Sequence, residues 1–206
     1  MSNYGWGGIS APKSCDYIAP AVIDLLASSP SHKVLDLGCG NGSLCRKLDG
    51  LGFSVVGVEP SRDGWQFARD ASPLIPYFQL GVDDDPGLIV ASQGLFDVVV
   101  STEVVEHLYS PHLLPAFAWQ LLKPGGILIV TTPYHRYLKN IVLALAGKCD
   151  HHHTAVWCGG HIKFWSRTTL AKLLENAGFA PQAFYGVGRL PWLWKSMIIV
   201  AKKPVS

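Results

Sequence analysis

The fold of this chain is decided by the stretch Val34-Leu35-Asp36-Leu37-Gly38-Cys39-Gly40-Asn41-Gly42. Its first four residues are typical of a short buried strand. The glycines that follow at every second position allow a tight turn and the close approach of a ligand. Helix-favouring residues come next, from Ser43 to Leu48. A strand, a glycine-rich loop and a helix in this order predict a site for a nucleotide-like ligand.

Two classes of cofactor use such a loop, and an ordinary strand-to-helix turn has a similar pattern. Dinucleotide oxidoreductases place a third glycine where this chain has Ser43. Here the third glycine comes one residue earlier and an aspartate precedes the first, which resembles motif I of the class I S-adenosylmethionine-dependent methyltransferases. The resemblance implies that Gly38, Cys39 and Gly40 wrap the methionine end of this cofactor. It also implies that Asp36 lies near the cofactor's ammonium group.

Length and composition limit the class of protein. The chain has 206 residues, of which only 16% are charged, and its net charge is +2. This size suits a single domain over residues 1–206, and the weak charge points to neither a nucleic-acid nor a membrane partner. We find no secretory signal, and the apolar run Ile141–Ala146 is too short to span a bilayer. Five cysteines, an odd number, favour a reduced, cytoplasmic protein.

Strand patterns alternate with helix patterns along most of the chain. This order predicts an α/β fold with a single Rossmann-like, doubly wound, mostly parallel sheet of seven strands. The last strand is expected to be antiparallel. The predicted strands are 34–37, 53–58, 77–80, 96–101, 127–131, 180–187 and 196–201. The predicted helices are 15–28, 44–51, 60–71, 111–122 and 166–177, and Lys123-Pro124-Gly125-Gly126 is interpreted as a turn.

The domain divides into an N-terminal arm and helix (1–30), a cofactor-binding core (34–132), an insertion (133–165) and a C-terminal helix with a strand pair (166–206). The insertion lacks a regular pattern apart from a possible short helix over Leu138–Ala146. A segment this long inside a compact domain is often a lid. We expect it, together with Tyr4 and Trp6 of the arm, to shape an acceptor site that suits an apolar or planar molecule, with a sugar or a lipid headgroup as the alternative.

Acidic residues follow the second and third predicted strands. Glu59 can accept two hydrogen bonds from a ribose diol, which suits NAD as well as S-adenosylmethionine, although a solvated acid is the simpler alternative. In the methyltransferases the end of the third strand contacts the adenine. This resemblance implies that Asp83 or Asp84 binds the adenine amine and that Val82 covers the ring. The predicted cofactor-binding set is Asp36, Gly38, Cys39, Gly40, Glu59, Pro60, Val82, Asp83 and Thr102.

The segment Thr102-Glu103-Val104-Val105-Glu106-His107 follows the fourth strand, at the edge where α/β sheets bind ligands. If Glu103 opens a helical turn, Glu106 and His107 share its face, and the three side chains form a plausible divalent cation site. Alternatively, His107 is a general base and the glutamates position substrate or cap the helix. A solvated helix start is the third interpretation.

The Glu-x-x-Glu-His motif resembles the UbiG/Coq3 quinone O-methyltransferases and the Hen1 small-RNA 2′-O-methyltransferases. This resemblance implies a metal beside the cofactor methyl group and makes His161 a candidate fourth ligand. A structural zinc site competes for the same histidine, because two Cys-x-x-His pairs have zinc-ligand spacing. These pairs are Cys149 with His152 and Cys158 with His161.

The sequence as a whole predicts an S-adenosylmethionine-dependent enzyme that methylates a hydroxyl group of a small molecule. Glu106 and His107 are the predicted catalytic residues, and Glu103, Glu106, His107 and His161 are the predicted ligands of Mg²⁺, with Mn²⁺ or Zn²⁺ also possible. No nucleic-acid partner is expected. The alternatives are a nucleotide-dependent oxidoreductase, a non-catalytic cofactor-binding protein and a small-RNA methyltransferase. We interpret Cys39 as a small filler of the loop, and His135, His151 and His153 as lid or substrate contacts.

Overall fold

The computed structural model describes residues 5–27, 33–135, 140–141, 144–147, 160–191 and 193–205. Its strands are β1 (Lys33–Leu37), β2 (Ser54–Val58), β3 (Tyr77–Phe78), β4 (Phe96–Thr102), β5 (Leu122–Pro133), β6 (Ala180–Val187) and β7 (Ser196–Lys202). The helices bounded by described residues are α1 (Cys15–Ala27), α2 (Ser43–Asp49), α3 (Arg62–Ala71), α4 (Gly87–Gln93), α5 (Leu113–Leu121) and α6 (Arg167–Asn176). A 3₁₀ helix covers Val105–His107.

The strands form one seven-stranded sheet in the order β3-β2-β1-β4-β5-β7-β6. Neighbouring strands from β3 to β5 are parallel, and β7 is antiparallel to both of its neighbours, β5 and β6. The predicted fold class is therefore confirmed. The chain runs outward from β1 to β3 and then crosses to β4 on the other side of β1. Ligands bind to such sheets beside this reversal, at the carboxyl ends of the strands.

Apolar side chains cover both faces of the sheet, because successive residues of a strand point to opposite sides. On β4, Val98 packs in the same cluster as Ile18 of α1, whereas Val99 packs in the cluster of Phe117 from α5. These four side chains are at most 2% exposed. Each such burial stabilises the fold by about 1.5–3 kcal/mol, which fixes the strand ends that carry the polar residues.

The structure differs from the predicted elements in three places. The turn predicted at 123–126 lies inside β5, where the Gly125 amide donates to the Lys203 carbonyl and the Lys203 amide donates to that of Gly126. The sequence analysis missed α4, a short helix without a wide apolar stripe. The third strand is only two residues long, because an acidic turn, in which the Gly81 amide donates to Asp84, follows it closely.

Several predictions fall outside the described residues. They concern Tyr4, most of the 133–165 insertion and three of the four zinc ligands proposed as an alternative. Of the predicted helix 138–146, the structure describes helical residues at 140–141 and 144–145. Within the described part of the chain, no helix is long and apolar enough to cross a membrane. The candidate residues that lie outside the described part of the chain are Tyr4, Cys149, His151, His152, His153 and Cys158.

Candidate functional site

The glycine-rich loop turns sharply after β1. The φ angles of Gly38, Gly40 and Gly42 are 81°, 55° and 72°, a left-handed conformation that side-chain-bearing residues rarely adopt. The amides of Gly38 and Cys39 both donate to the carbonyl oxygen of Val58 at the end of β2, at 2.8 and 3.0 Å. The loop is thus held against the neighbouring strand, and Gly38 and Cys39 line the cavity beyond it.

Asp36 lies under this loop with one carboxylate oxygen unpaired. The side chain is buried, Oδ2 accepts a hydrogen bond from the Cys45 thiol at 3.3 Å, and Oδ1 has no partner among the described residues. Burial raises the pKa of Asp36 to about 7, although the Cys45 bond opposes the shift. A buried oxygen without a partner is costly, so this atom suits a cationic group of a ligand.

Glu59 follows β2 directly and faces the loop. One oxygen accepts a hydrogen bond from the Gly40 amide at 2.8 Å, and the other accepts from the amide and hydroxyl groups of Ser61. Burial raises the pKa of Glu59, while these hydrogen bonds oppose the shift. These hydrogen bonds hold the carboxylate at the mouth of the loop. A diol at this position could replace one of the present donors and bind the carboxylate instead.

One cavity of about 950 Å³ runs from the glycine loop to the end of β4. Val82 and Asp83 do not line it, and Asp83 is exposed. The structure thus leaves the two predicted adenine contacts outside the cavity wall. Of the predicted cofactor-binding residues, those that line the cavity are Asp36, Gly38, Cys39, Glu59, Pro60 and Thr102.

Cys39 is buried in the loop beside Gly57. Burial raises the pKa of its thiol, which keeps the sulfur protonated and poorly nucleophilic. This environment favours its interpretation as a small filler.

At the other end of the cavity, Glu106 lies between two histidines. Its Oε1 atom is 3.9 Å from Nε2 of His107 and 4.0 Å from Nε2 of His161. This oxygen is buried and has no hydrogen-bond partner among the described residues, whereas Oε2 accepts a bond from Thr132. A cation bound about 2.1 Å from each ligand needs donor atoms at most about 4.2 Å apart. Both distances from Glu106 meet this limit, and the ligand atoms of the three residues all lie within 4.8 Å of one another, so the group could hold a divalent cation.

Backbone hydrogen bonds fix both histidines. The amides of Ile162 and Lys163 donate to the carbonyl oxygen of Glu106, at 3.0 and 3.1 Å, which brings His161 to the site. Nδ1 of His107 lies 3.3 Å from the carbonyl oxygen of Gly160. Because a carbonyl can only accept, this contact favours a proton on Nδ1 and leaves Nε2 as a base or a metal ligand.

The carboxylate of Glu103 does not belong to this cluster. Its two oxygens accept hydrogen bonds from Thr131, at 3.0 Å, and from Ser196, at 3.1 Å. The premise that Glu103 opens a helical turn is wrong, since this residue has a φ of 54° and the 3₁₀ helix begins two residues later, at Val105. Among the described residues, the group that can share an ion consists of Glu106, His107 and His161.

The charge of Glu103 nevertheless acts on the site. Burial, and then the nearby Glu103 carboxylate, raise the pKa of Glu106 well above its usual range. A cation at Oε1 would reverse this effect by favouring the carboxylate.

The sequence analysis missed several residues that line or support the cavity. Thr131 and Thr132 end β5 next to the end of β4, so the rule that parallel strand ends meet at one edge would have found them. Tyr17, Arg189 and Lys195 also line the cavity, but nothing in their local sequence indicates it.

Known proteins resemble this chain in both sequence and fold. Residues 14–183 match the family model of a methyltransferase domain. A ubiquinone biosynthesis O-methyltransferase of Thiobacillus denitrificans is 30% identical, with 80% of this chain and 72% of that protein covered. The mitochondrial ubiquinone biosynthesis O-methyltransferase of Mus musculus is 33% identical, with 87% of this chain and 53% of the relative covered. The chain thus spans about half the length of this mouse relative.

Solved structures share the fold at low sequence identity. The magnesium protoporphyrin IX methyltransferase of Synechocystis, solved with bound S-adenosylhomocysteine, superposes with a TM-score of 0.66. The identity is 19%, and the match covers 90% of this chain and 81% of that one. At this identity the likeness supports the fold alone.

Proposed function

This chain belongs to the methyltransferase-domain family of class I S-adenosylmethionine-dependent enzymes, and we propose that it methylates a hydroxyl oxygen of a small molecule. One observation carries the proposal. A single cavity has the unpaired Asp36 oxygen and the Glu59 carboxylate at one end, and His107 and His161 at the other. A cofactor and an acceptor can therefore meet inside it. The oxidoreductase, non-catalytic and small-RNA alternatives have no comparable support.

The cofactor, when bound, supplies a methyl group on a positively charged sulfur, so the protein needs to align it and to remove one proton. Asp36 would pair with the ammonium group, and Glu59 would accept the ribose hydroxyls. Nε2 of His107 would take the proton of the acceptor hydroxyl as that oxygen bonds to the methyl carbon. The imidazolium left behind would be stabilised by the buried Glu106 carboxylate, 3.9 Å away.

In the alternative to a base at His107, the residues Glu106, His107 and His161 would hold a divalent cation, which would lower the pKa of the acceptor hydroxyl. One carboxylate and two imidazoles favour Mn²⁺ or Zn²⁺ over Mg²⁺, which prefers oxygen ligands. Glu103 would become a fourth ligand only if its carboxylate left Thr131 and Ser196.

The acceptor that we propose is a planar or apolar molecule with a free hydroxyl, of the kind that the ubiquinone-pathway relatives suggest by name. The cavity wall taken as a whole is more apolar than polar, which favours a hydrophobic ring over a sugar. We propose that the 133–165 insertion closes over it. The apolar wall includes Val104, Leu108, Pro133 and Leu193.

Cofactor binding tests the proposal directly. We expect calorimetry to detect S-adenosylmethionine and S-adenosylhomocysteine but not NADH. Glu59→Ala should weaken binding of either ligand by about 1.5–3 kcal/mol, because it removes a charged hydrogen-bond acceptor. Asp49→Ala, which changes an aspartate at the exposed end of α2, is the matched control and should bind as the wild type does. Binding of NADH without S-adenosylmethionine would refute the assignment.

The pKa of Asp36 predicts a pH dependence of cofactor affinity. Since only the carboxylate attracts the ammonium group, and its pKa is about 7, S-adenosylhomocysteine should bind more weakly as the pH falls below 7. The limiting slope is about tenfold per pH unit, with release of one proton per ligand bound. Titration calorimetry in buffers of different ionisation enthalpy measures both quantities. Asp36→Asn should bind weakly at every pH, and a flat profile for the wild type would contradict the role.

A further inference from the structure

Residues 5–10 cross the glycine loop as a segment that belongs to no helix or strand, which we call the strap. Asn41 of the loop holds one end of it, since its amide nitrogen donates to the carbonyl oxygens of Gly8 and Ser10, both at 2.8 Å. Arg46 of α2 donates to the carbonyl oxygen of Ile9 at 2.9 Å. The strap is therefore fastened to the elements that form the cofactor end of the cavity.

Asp63, in the first turn of α3, holds the other end. Its Oδ2 atom accepts hydrogen bonds from the backbone amides of Gly5, at 2.9 Å, and Trp6, at 2.8 Å. The strap thus bridges α2 and α3, which follow the two strands that carry the glycine loop and Glu59.

The indole ring of Trp6 lies directly on two glycines. A Cβ atom built on Gly40 would be 2.3 Å from Cζ2 of the ring, and one built on Gly64 would be 2.9 Å from its Nε1. Gly64 lies inside α3, where glycine is unfavourable compared with alanine. The space that the ring occupies accounts for a glycine there.

The same ring forms part of the cavity wall. Trp6 lines the cavity together with Glu59 and Pro60. The hydroxyl group of Ser61 donates to Glu59, and its Oγ would lie 2.8 Å from a Cβ built on Gly64, the glycine that the ring covers. The ring therefore stands beside the carboxylate that would hold the cofactor's ribose.

We propose that the strap is a clasp over the cofactor, with Trp6 as a cofactor-binding residue that closes this end of the cavity and must move aside for the cofactor to exchange. The inference rests on the proposed function for the identity of the ligand. It replaces our expectation that the arm shapes the acceptor site. The strap is a short surface segment, and its side-chain hydrogen bonds come from Asn41 of the loop, Arg46 of α2 and Asp63 of α3. It can therefore open without unfolding the sheet.

The test is the rate at which S-adenosylhomocysteine leaves the protein, measured by stopped-flow displacement with excess S-adenosylmethionine. Trp6→Ala should speed release by about tenfold or more, because a large aromatic contact over the ligand is lost. Asp63→Ala keeps the indole ring but removes the hydrogen bonds that hold this end of the strap. It should speed release by a smaller factor. Asp70→Ala changes an exposed aspartate of the same helix and should leave the rate unchanged.

Circular dichroism and the unfolding midpoint establish that each variant is folded. Unchanged release from both Trp6→Ala and Asp63→Ala, with the wild type binding normally, would overturn the clasp alone. Tighter binding by Trp6→Ala would also overturn it, because the ring would then block the cofactor rather than enclose it. A wild-type protein that binds no S-adenosylhomocysteine would overturn the proposed function and the clasp together.

Discussion

Glu106→Gln is expected to lower methyl transfer by at least about a hundredfold while leaving the cofactor bound. The amide keeps the size of the side chain and can still bond to Thr132, so the fold should tolerate the change. What disappears is the carboxyl oxygen that both histidines face, which can carry a negative charge beside an imidazolium or a cation. Without that charge the site can neither stabilise an imidazolium nor hold a divalent cation. Each loss alone is typically worth two to four powers of ten.

The measurement is transfer of a labelled methyl group to a planar acceptor with a free hydroxyl, paired with calorimetric binding of S-adenosylhomocysteine. Glu175→Gln is the matched control, since this glutamate lies in an exposed ion pair with Lys172 and should have full activity. Activity of Glu106→Gln within threefold of the wild type would remove Glu106 from the mechanism. Loss of cofactor binding in the same variant would instead show that the two ends of the cavity are not independent.

The fold was predictable because its signals are local. Apolar runs such as Val98–Val100 have the composition of buried parallel strands, and helical stretches separate them. The order of these elements then limits the topology to a doubly wound sheet. The missed helix α4 has only Ile89 fully buried, so the sequence carries little helical periodicity there.

The arrangement of the candidate cofactor end was predictable for the same reason. Asp36 on β1 and the glycines of the loop belong to one continuous stretch of sequence, and Glu59 follows the end of the next strand. The predicted contacts of Val82 and Asp83 depend on the path of an acidic turn, which the hydrogen bond from the Gly81 amide to Asp84 determines. No spacing rule specifies that path.

The catalytic half depends on long-range contacts and was predicted less well. The i, i+3 and i+4 spacing assumes a regular turn, but Glu103 adopts a left-handed conformation and its amide donates to Thr131. Its carboxylate consequently faces Ser196 of β7, which is distant in sequence. The position of Trp6 is another such case, since an arm without periodicity gives no indication of the surface on which it packs.

The last prediction separates a metal site from a general base. If one cation is shared, His161→Ala and His107→Ala should both lose the bound metal, and each should lower activity by about a hundredfold or more. A chelator should abolish activity in the wild type, and added Mn²⁺ or Zn²⁺ should restore it. His112→Ala, at an exposed histidine nearby in sequence, is the control and should neither release metal nor lower activity.

If His107 acts only as a base, the pattern reverses. A chelator would then have no effect, His107→Ala would be severe, and His161→Ala would be mild, because His161 would merely support the imidazolium. The double variant Cys149→Ser, Cys158→Ser separates the structural-zinc alternative, since it should release metal only if those cysteines bind it. Elemental analysis beside methyl-transfer assays on these variants distinguishes all three cases. A wild-type protein that is free of metal and turns over in chelator would exclude the shared cation and leave the Nε2 atom of His107, with its partner Glu106, as the proton acceptor.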